Sequence, residues 1–167
     1  DEAGGLLPDL KGMTPAAIER FCAGPLGQRT GRGLRVATLL FRDRIEDIGS
    51  LRGVNRMLRE QLRRSCRISS LPVERIASAN DGTRKLLYRL EDGGTVEGVL
   101  IPGPERLTLC VSTQAGCASG CAFCSTGAGG FLRNLTAAEM VNQVFAASRA
   151  ADRNTISNLV LMGTGEP

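Results

Sequence analysis

Four of the six cysteines in this 167-residue chain lie within one short stretch, from Cys110 to Cys124. The last three, Cys117, Cys121 and Cys124, are separated by three and then two residues. Three thiolates on one tight loop can bind three irons of a [4Fe–4S] cluster, which leaves the fourth iron without a protein ligand. That open position suits a small molecule such as S-adenosylmethionine. The spacing therefore predicts an iron–sulfur site with one open iron position.

Three other interpretations of the cysteines are weaker. A zinc site requires four ligands, and because the chain has no histidine it would have to recruit Cys110 or an aspartate. A disulfide framework fits poorly, since Cys22 and Cys66 are scattered and no secretory signal is visible. Cysteines also serve as small buried apolar residues, but that role does not require this spacing.

The composition is that of an ordinary globular protein, with 42% hydrophobic and 23% charged residues. No apolar run approaches the length of a membrane span, so we expect no membrane association. The chain does not begin with Met and stops directly after a strand-like run, which indicates a piece of a longer protein. Free thiolates require a reducing compartment, and we therefore expect a cytoplasmic location.

Positive charge is concentrated in one segment. Between Arg29 and Arg67 there are eleven arginines against four acidic residues. This excess favours a basic surface and a polyanionic partner such as RNA. The alternative is a compositional bias with solvated arginines, since arginine outnumbers lysine by nineteen to two across the chain. Aromatic residues are too sparse in this segment to form a base-stacking platform.

Residues 1–69 are predicted to form a small helical accessory domain. After a loose lead-in over residues 1–12, Thr14 caps a helix that begins at Pro15. A second helix is predicted over residues 34–41 and a short helical turn over 45–48. Asn55 is expected to cap a further helix. Its inward-facing residues are predicted to be Met57, Leu58 and Leu62.

The remainder predicts an α/β fold. Residues 70–104 are predicted to form an antiparallel β-meander with strands at 73–79, 84–90 and 95–101, joined by glycine-containing turns. Residues 105–167 then give a strand at 107–112, the cysteine loop, a helix and a buried strand at 157–162. Thr136 and Glu139 have the spacing of a capping box at the start of that helix. The loop therefore lies at the carboxyl end of a parallel strand, where α/β folds place their chemistry.

The last residues, Gly163 to Pro167, follow the second strand of this βαβ unit and should lie beside the cysteine loop. The glycines allow the backbone to approach a ligand closely, and Glu166 offers a carboxylate to an ammonium group. The alternative is an ordinary turn.

Several motifs together resemble the RlmN/Cfr family of radical S-adenosylmethionine RNA methyltransferases. They are Val96-Glu97 to Pro102, Leu109 to Cys117, Cys124-Ser-Thr126, Gly130 to Leu135 and Met162 to Pro167. The resemblance covers about residues 70–167. It implies that residues 105–167 begin an incomplete (β/α) barrel, preceded by the β-meander and the accessory domain.

The resemblance also implies roles for individual residues. Cys117, Cys121 and Cys124 would bind the [4Fe–4S] cluster. Gly165 and Glu166 would contact the amino group of S-adenosylmethionine. Cys110 would be a second catalytic cysteine that forms a disulfide bond to release an RNA adduct, and Glu97 would accept a proton. Without the resemblance, Glu97 would be taken for a surface strand residue and Cys110 for a core residue.

The family activity is methylation of an adenine carbon in ribosomal RNA, and for some members also in tRNA. Here we expect C2 in preference to C8, a methyl-cysteine intermediate, a flavodoxin-like electron donor and a monomeric protein. Neither Cys22 nor Cys66 matches the methyl-carrying cysteine, so we expect this chain alone to be inactive. Two rival hypotheses are a non-catalytic truncated paralogue that binds RNA or a partner, and a radical enzyme with another substrate.

Overall fold

The computed structural model describes residues 7–151 and 155–166 and divides the chain into two compact units, Asp1–Ser70 and Leu71–Pro167. Each unit has a hydrophobic core of its own. Within the described ranges, no helix has both the length and the apolar character needed to cross a membrane. The predicted division into domains at residues 1–69, 70–104 and 105–167 stays a prediction.

The first unit is helical. It contains α1 (Pro15–Ala23), α2 (Arg32–Phe41) and α3 (Arg56–Ser65), with 3₁₀ turns at Leu10–Gly12 and Ile48–Ser50. Its core includes these fully buried side chains: Leu10, Ile18, Val36, Leu40, Leu51, Leu58 and Leu62. The helices predicted after Thr14 and Asn55 are confirmed, but the helical turn expected at 45–48 begins only at Ile48.

The starts of all three helices have identifiable hydrogen-bond acceptors. The Thr14 hydroxyl accepts the Ala17 N–H at 3.2 Å, and the Asn55 side chain accepts the Leu58 N–H at 2.7 Å. The N-cap of α2 is a glycine, and the carboxylate of Glu19 in α1 accepts the backbone N–H groups of Gly31 and Leu34 instead. These N–H groups hold the pKa of Glu19 below its usual value. Glu19 therefore joins α1 to the start of α2.

Two sequence predictions for the first unit are wrong. Residues 7–12 are not a loose lead-in, because Leu10 is fully buried and Asp9 forms a β-bridge with Arg67; residues 1–6 lie outside the described ranges. Met57 does not face inward but is 64% exposed. Leu58 and Leu62 are four residues apart and share one helical face, whereas Met57 is rotated about 100° away from Leu58.

Gly33 allows α1 and α2 to pack closely. A Cβ atom at this position would lie 2.4 Å from the Glu19 Cα atom and 2.7 Å from the Ile18 carbonyl oxygen. We expect Gly33→Ala to lower the free energy of unfolding by about 1–3 kcal/mol, because the helices must separate. Urea unfolding followed by far-UV circular dichroism would measure this change. Leu34→Ala is the control, since Leu34 is exposed; equal effects of the two substitutions would contradict the prediction.

The second unit contains a five-stranded sheet. Its strands are β1 (Val73–Ser78), β2 (Arg84–Arg89), β3 (Thr95–Pro102), β4 (Leu107–Cys110) and β7 (Asn158–Val160). They lie in the order β1-β2-β3-β4-β7. The first four pair antiparallel in succession, and β7 pairs parallel to β4. Helix α5 (Ala137–Ala150) connects β4 to β7 across one face. The predicted meander and βαβ unit are confirmed, and they share one sheet.

The capping box predicted at the start of α5 is present in full. The Thr136 hydroxyl accepts the Glu139 N–H, and the Glu139 carboxylate accepts the Thr136 N–H at 2.8 Å. Arg133 donates to both oxygens of the same carboxylate and also to Asp92. These interactions attach the start of α5 to the strand before it.

The region between β4 and α5 contains a hairpin that the sequence did not predict. Strands β5 (Gln114–Gly116) and β6 (Phe131–Asn134) pair antiparallel, and the short helix α4 (Ser125–Ala128) lies between them in the chain. The cysteine loop is therefore closed at its base by a pair of strands.

The buried strand predicted at 157–162 is shorter and more exposed than expected. Only Asn158–Val160 forms β7, and Leu159 is 55% exposed. Leu161 and Met162, beyond the strand, are also exposed. The reason is that β7 lies at the edge of the described sheet and pairs on one side only, with β4.

Candidate metal centre and cofactor site

A cavity of about 340 Å³ lies at the carboxyl ends of β4 and β7. Two segments line it, the cysteine loop and the segment after β7. The lining residues are Cys117, Ser119, Cys121, Phe123, Cys124, Thr126, Gly163, Gly165 and Glu166. The structure thus brings the three predicted metal ligands and the two predicted cofactor residues to one cavity.

The donor set of this cavity consists of three thiols, with Cys117 and Cys124 half-buried and Cys121 exposed. Within the described ranges, no group of three Cys, Asp or Glu side chains is drawn together tightly enough for a metal ion. The chemistry of the donor set, three cysteine thiols lining one cavity, fits the thiolate ligands of a [4Fe–4S] cluster.

The base of the cysteine loop is fixed by backbone hydrogen bonds. The Cys117 N–H donates to the Gly130 carbonyl at 3.0 Å, which extends the pairing of β5 with β6. The Cys124 N–H donates to the Cys121 carbonyl at 3.0 Å. A turn of this kind holds the last two cysteines near each other on the cavity wall.

The segment Gly163–Glu166 packs directly against the chain between β4 and β5. The Thr113 N–H donates to the Thr164 carbonyl at 2.9 Å, and the Ser112 hydroxyl accepts the Thr164 N–H at 2.8 Å. A Cβ atom at Gly163 would lie 2.7 Å from the Ser112 nitrogen. Only glycine permits this approach, which places the segment beside the cysteine loop.

Cys110 and Glu97 lie outside the cavity lining, on adjacent strands of the sheet. Cys110 pairs with Val99, and Glu97 is two residues before Val99 on β3. Because side chains alternate along a strand, Glu97, Val99 and Cys110 occupy the same face of the sheet. Glu97 is exposed, and its carboxylate lies 3.0 Å from the Lys85 ammonium nitrogen.

The Cys110 thiol is buried. It is only 7% exposed, and burial raises its pKa above the ordinary thiol value. A hydrogen bond from the Met162 backbone N–H offsets part of this effect. Met162 immediately precedes the cavity-lining segment, so the Cys110 thiol is connected to one edge of the site.

Three buried polar residues near the site were not among the residues predicted from the sequence. They are Ser112, Gln114 and Gln143. Gln143 of α5 accepts the Ser112 N–H and donates to the Ser112 carbonyl, both at 2.9 Å. Gln114 contacts both the segment after β7 and strand β6. All three are at most 5% exposed. The sequence contained one indication of the role of Gln143, namely a polar residue among the apolar residues of α5.

Comparison with known proteins identifies similar chains. No family model matches the sequence. The dual-specificity RNA methyltransferase RlmN of Syntrophotalea carbinolica is 46% identical over 160 residues, which are 95% of this chain and 42% of the relative. The protein of the same name from Halorhodospira halophila is 45% identical over 142 residues, which are 85% of this chain and 40% of the relative.

One solved structure is also similar, a radical SAM methyltransferase from Sphaerobacter thermophilus. The TM-score is 0.85 at 39% sequence identity, and the match covers 96% of this chain and 48% of that one. The chain therefore spans less than half the length of the proteins that it matches.

These matches extend along nearly the whole chain and include both compact units. They confirm the predicted α/β class and the predicted incomplete barrel. They also confirm the resemblance first seen in the cysteine motif and in Gly163–Glu166. Over the length that it shares with them, the chain is therefore similar to RlmN RNA methyltransferases and to a radical SAM methyltransferase of known structure.

Proposed function

We propose that the protein methylates an adenine carbon in RNA by radical S-adenosylmethionine chemistry. The observation that carries this proposal is the cavity with three thiols on one side and Gly163, Gly165 and Glu166 on the other. The relatives' names, which describe RNA methyltransferases and a radical SAM methyltransferase, support it. Because the chain spans less than half of those relatives, this activity is proposed for the whole enzyme.

The cavity residues divide into two groups. Cys117, Cys121 and Cys124 would hold a [4Fe–4S] cluster, which when bound supplies the electron for reductive cleavage of S-adenosylmethionine. On the opposite wall, the Glu166 carboxylate would accept hydrogen bonds from the cofactor's ammonium group. Gly165, with a φ of 110°, allows the backbone of this wall to pack closely against Gln114.

Cys110 and Glu97 would act on the RNA side of the reaction. Both lie on one face of the sheet, on neighbouring strands. Glu97 would accept the proton that the adenine carbon loses while the RNA is still attached to the methyl-carrying cysteine. The Cys110 thiolate would then attack the sulfur of that cysteine, so that a disulfide forms, the sulfur–carbon bond breaks and the released carbon takes up a proton to become the methyl group of the RNA. Burial raises the pKa of Cys110, so the thiol must first give its proton to a base.

The methyl-carrying cysteine would be a residue other than Cys22 and Cys66. Both are buried in the core of the first unit. Burial raises the pKa of Cys22 to about 11 and that of Cys66 to about 12. Neither thiol is accessible to an RNA base or is ionised at neutral pH, and their role is to fill the helical core.

RNA contacts would involve the first unit as well. Helix α3 buries Leu58 and Leu62 and presents Arg56, Arg63 and Arg64 to solvent. Such a surface suits phosphate groups. The proposed substrates are large-subunit ribosomal RNA and tRNA, with C2 favoured over C8. We also propose a reducing cytoplasmic location and a flavodoxin-like electron donor, since a cluster bound by thiolates needs both reduced cysteines and a source of electrons.

The test is an anaerobic reaction of the full-length protein with S-adenosylmethionine, a reductant and unmodified ribosomal RNA or tRNA. We expect mass spectrometry of the nucleosides to detect 2-methyladenosine. The variant Cys110→Ala should abolish release of methylated RNA, since the proposed disulfide cannot form, and Glu97→Gln should slow it. Methylation at a nitrogen or ribose oxygen, or full turnover by Cys110→Ala, would contradict the proposal.

A further inference from the structure

Gln114 forms hydrogen bonds to both parts of the chain that build the cavity, the segment after β7 and the hairpin that carries the cysteine loop. Its side-chain oxygen accepts the backbone N–H of Glu166 at 3.1 Å. Its side-chain nitrogen donates to the Asn134 side-chain oxygen at 2.9 Å. Asn134 belongs to β6, the strand that closes the base of the cysteine loop. One amide group therefore connects the backbone of the proposed cofactor ligand to the hairpin that carries the proposed cluster ligands.

The packing around Gln114 leaves little freedom. A Cβ atom at Gly165 would lie 2.5 Å from the Gln114 Cβ atom and 2.8 Å from its backbone nitrogen. The Gln114 N–H also donates to the Thr164 carbonyl at 3.1 Å. Gly165 is therefore packed tightly against Gln114. The side-chain oxygen of Gln114 accepts the N–H of the next residue, Glu166.

Gln114 is the buried partner in both hydrogen bonds. It is 5% exposed, whereas Glu166 and Asn134 are exposed, so its fixed side chain holds two exposed residues in place. Removal of the amide would leave the Glu166 N–H without its acceptor and the Asn134 oxygen without its donor. Gln114 does not itself line the cavity. Gln114 therefore acts on a ligand indirectly, through the residues that it holds in place.

We propose that Gln114 is a positioning residue that fixes Glu166 relative to the cysteine loop for binding of the S-adenosylmethionine ammonium group. The inference rests on the proposed function, and it adds a residue to which the family resemblance gave no role. It assigns Gln114 no contact with the cofactor and no part in bond formation.

Two substitutions separate hydrogen bonding from packing. Gln114→Met keeps the length of the side chain but removes both hydrogen bonds. Gln114→Glu keeps the acceptor for the Glu166 N–H, and the Asn134 amide can turn over and donate its own nitrogen to the new carboxylate. The matched control is Gln28→Met in the other unit, where Gln28 donates to Gln61 at 2.8 Å.

The first measurement uses the ligand-free chain. Amide hydrogen exchange should be faster for Glu166 in Gln114→Met than in the wild type. Exchange of the Thr164 amide, which the Ser112 hydroxyl holds, should change little. Gln114→Glu should protect Glu166 as the wild type does. Unchanged protection of Glu166 in Gln114→Met would overturn the inference, whatever the chain binds.

The second measurement uses the chain after anaerobic reconstitution with iron and sulfide. We expect Gln114→Met to retain the wild-type iron content but bind S-adenosylmethionine about tenfold more weakly, because the hydrogen bond that orders Glu166 is lost. Gln114→Glu should restore affinity, and Gln28→Met should not alter it. Wild-type affinity in Gln114→Met, or loss of its iron, would overturn the inference. A wild-type chain that takes up no iron would instead contradict the proposed function, and the exchange experiment would still decide the role of Gln114.

Discussion

Gly165→Ala is expected to weaken S-adenosylmethionine binding by the reconstituted chain by at least about tenfold. Gly165 has a φ of 110°, a conformation that costs an L-residue about 1–2 kcal/mol. The new Cβ atom would also lie 2.5 Å from the Gln114 Cβ atom. The segment that contains Gly165 must therefore move away from Gln114. Returning it to the binding position costs free energy, and about 1.4 kcal/mol corresponds to a tenfold loss of affinity. Isothermal titration of wild type and variant at equal iron content measures the effect.

The matched control for this prediction is Gly93→Ala. Gly93 lies in the turn between β2 and β3, has a φ of 86°, and would place its Cβ atom in open space. This variant carries a similar backbone penalty without a steric clash and far along the chain from the cavity lining. We expect a small loss of stability and wild-type cofactor affinity. If Gly165→Ala binds the cofactor as tightly as Gly93→Ala does, the close packing of Gly165 on Gln114 has no functional role.

The parts of the fold that the sequence predicted depend on local signals. Thr136 and Glu139 form a capping box because both partners lie within one helical turn. Asn55 caps α3 for the same reason. The position of Glu166 beside the cysteine loop followed from topology, because parallel strands bring their carboxyl ends to one edge of a sheet. Periodicity and spacing contain this information within a few residues.

The features that escaped prediction depend on contacts between distant residues. The hairpin of β5 and β6 pairs Gln114 with Asn134 across twenty residues, and neither strand has the alternating pattern of a longer strand. Leu159 lies in an apolar run typical of a buried strand, yet it is exposed at an edge of the described sheet. Cys110 is a similar case. Its position in the sequence indicates only a core residue, and its catalytic role was predicted from the family resemblance alone.

Cys117→Ala is expected to abolish stable binding of the proposed cluster, whereas Cys110→Ala should leave it intact. The wild-type chain should take up about four irons after anaerobic reconstitution, and each proposed ligand holds a separate iron. Cys117 lines the cavity, but Cys110 lies on β4 outside the lining and is only 7% exposed. Iron analysis and the visible absorbance of the two variants measure the difference.

The comparison of these two variants also separates iron–sulfur binding from zinc binding. A zinc site would need four ligands and, without histidine, would have to recruit Cys110 or an aspartate. If Cys110 is the fourth ligand, Cys110→Ala should reduce metal uptake as strongly as Cys117→Ala, and the wild type should bind about one zinc per chain. That result would contradict the cluster assignment and the separate role proposed for Cys110. Because the Cys110 thiol is held beside the Met162 N–H and does not line the cavity with the other three cysteines, we expect its removal to spare the metal site.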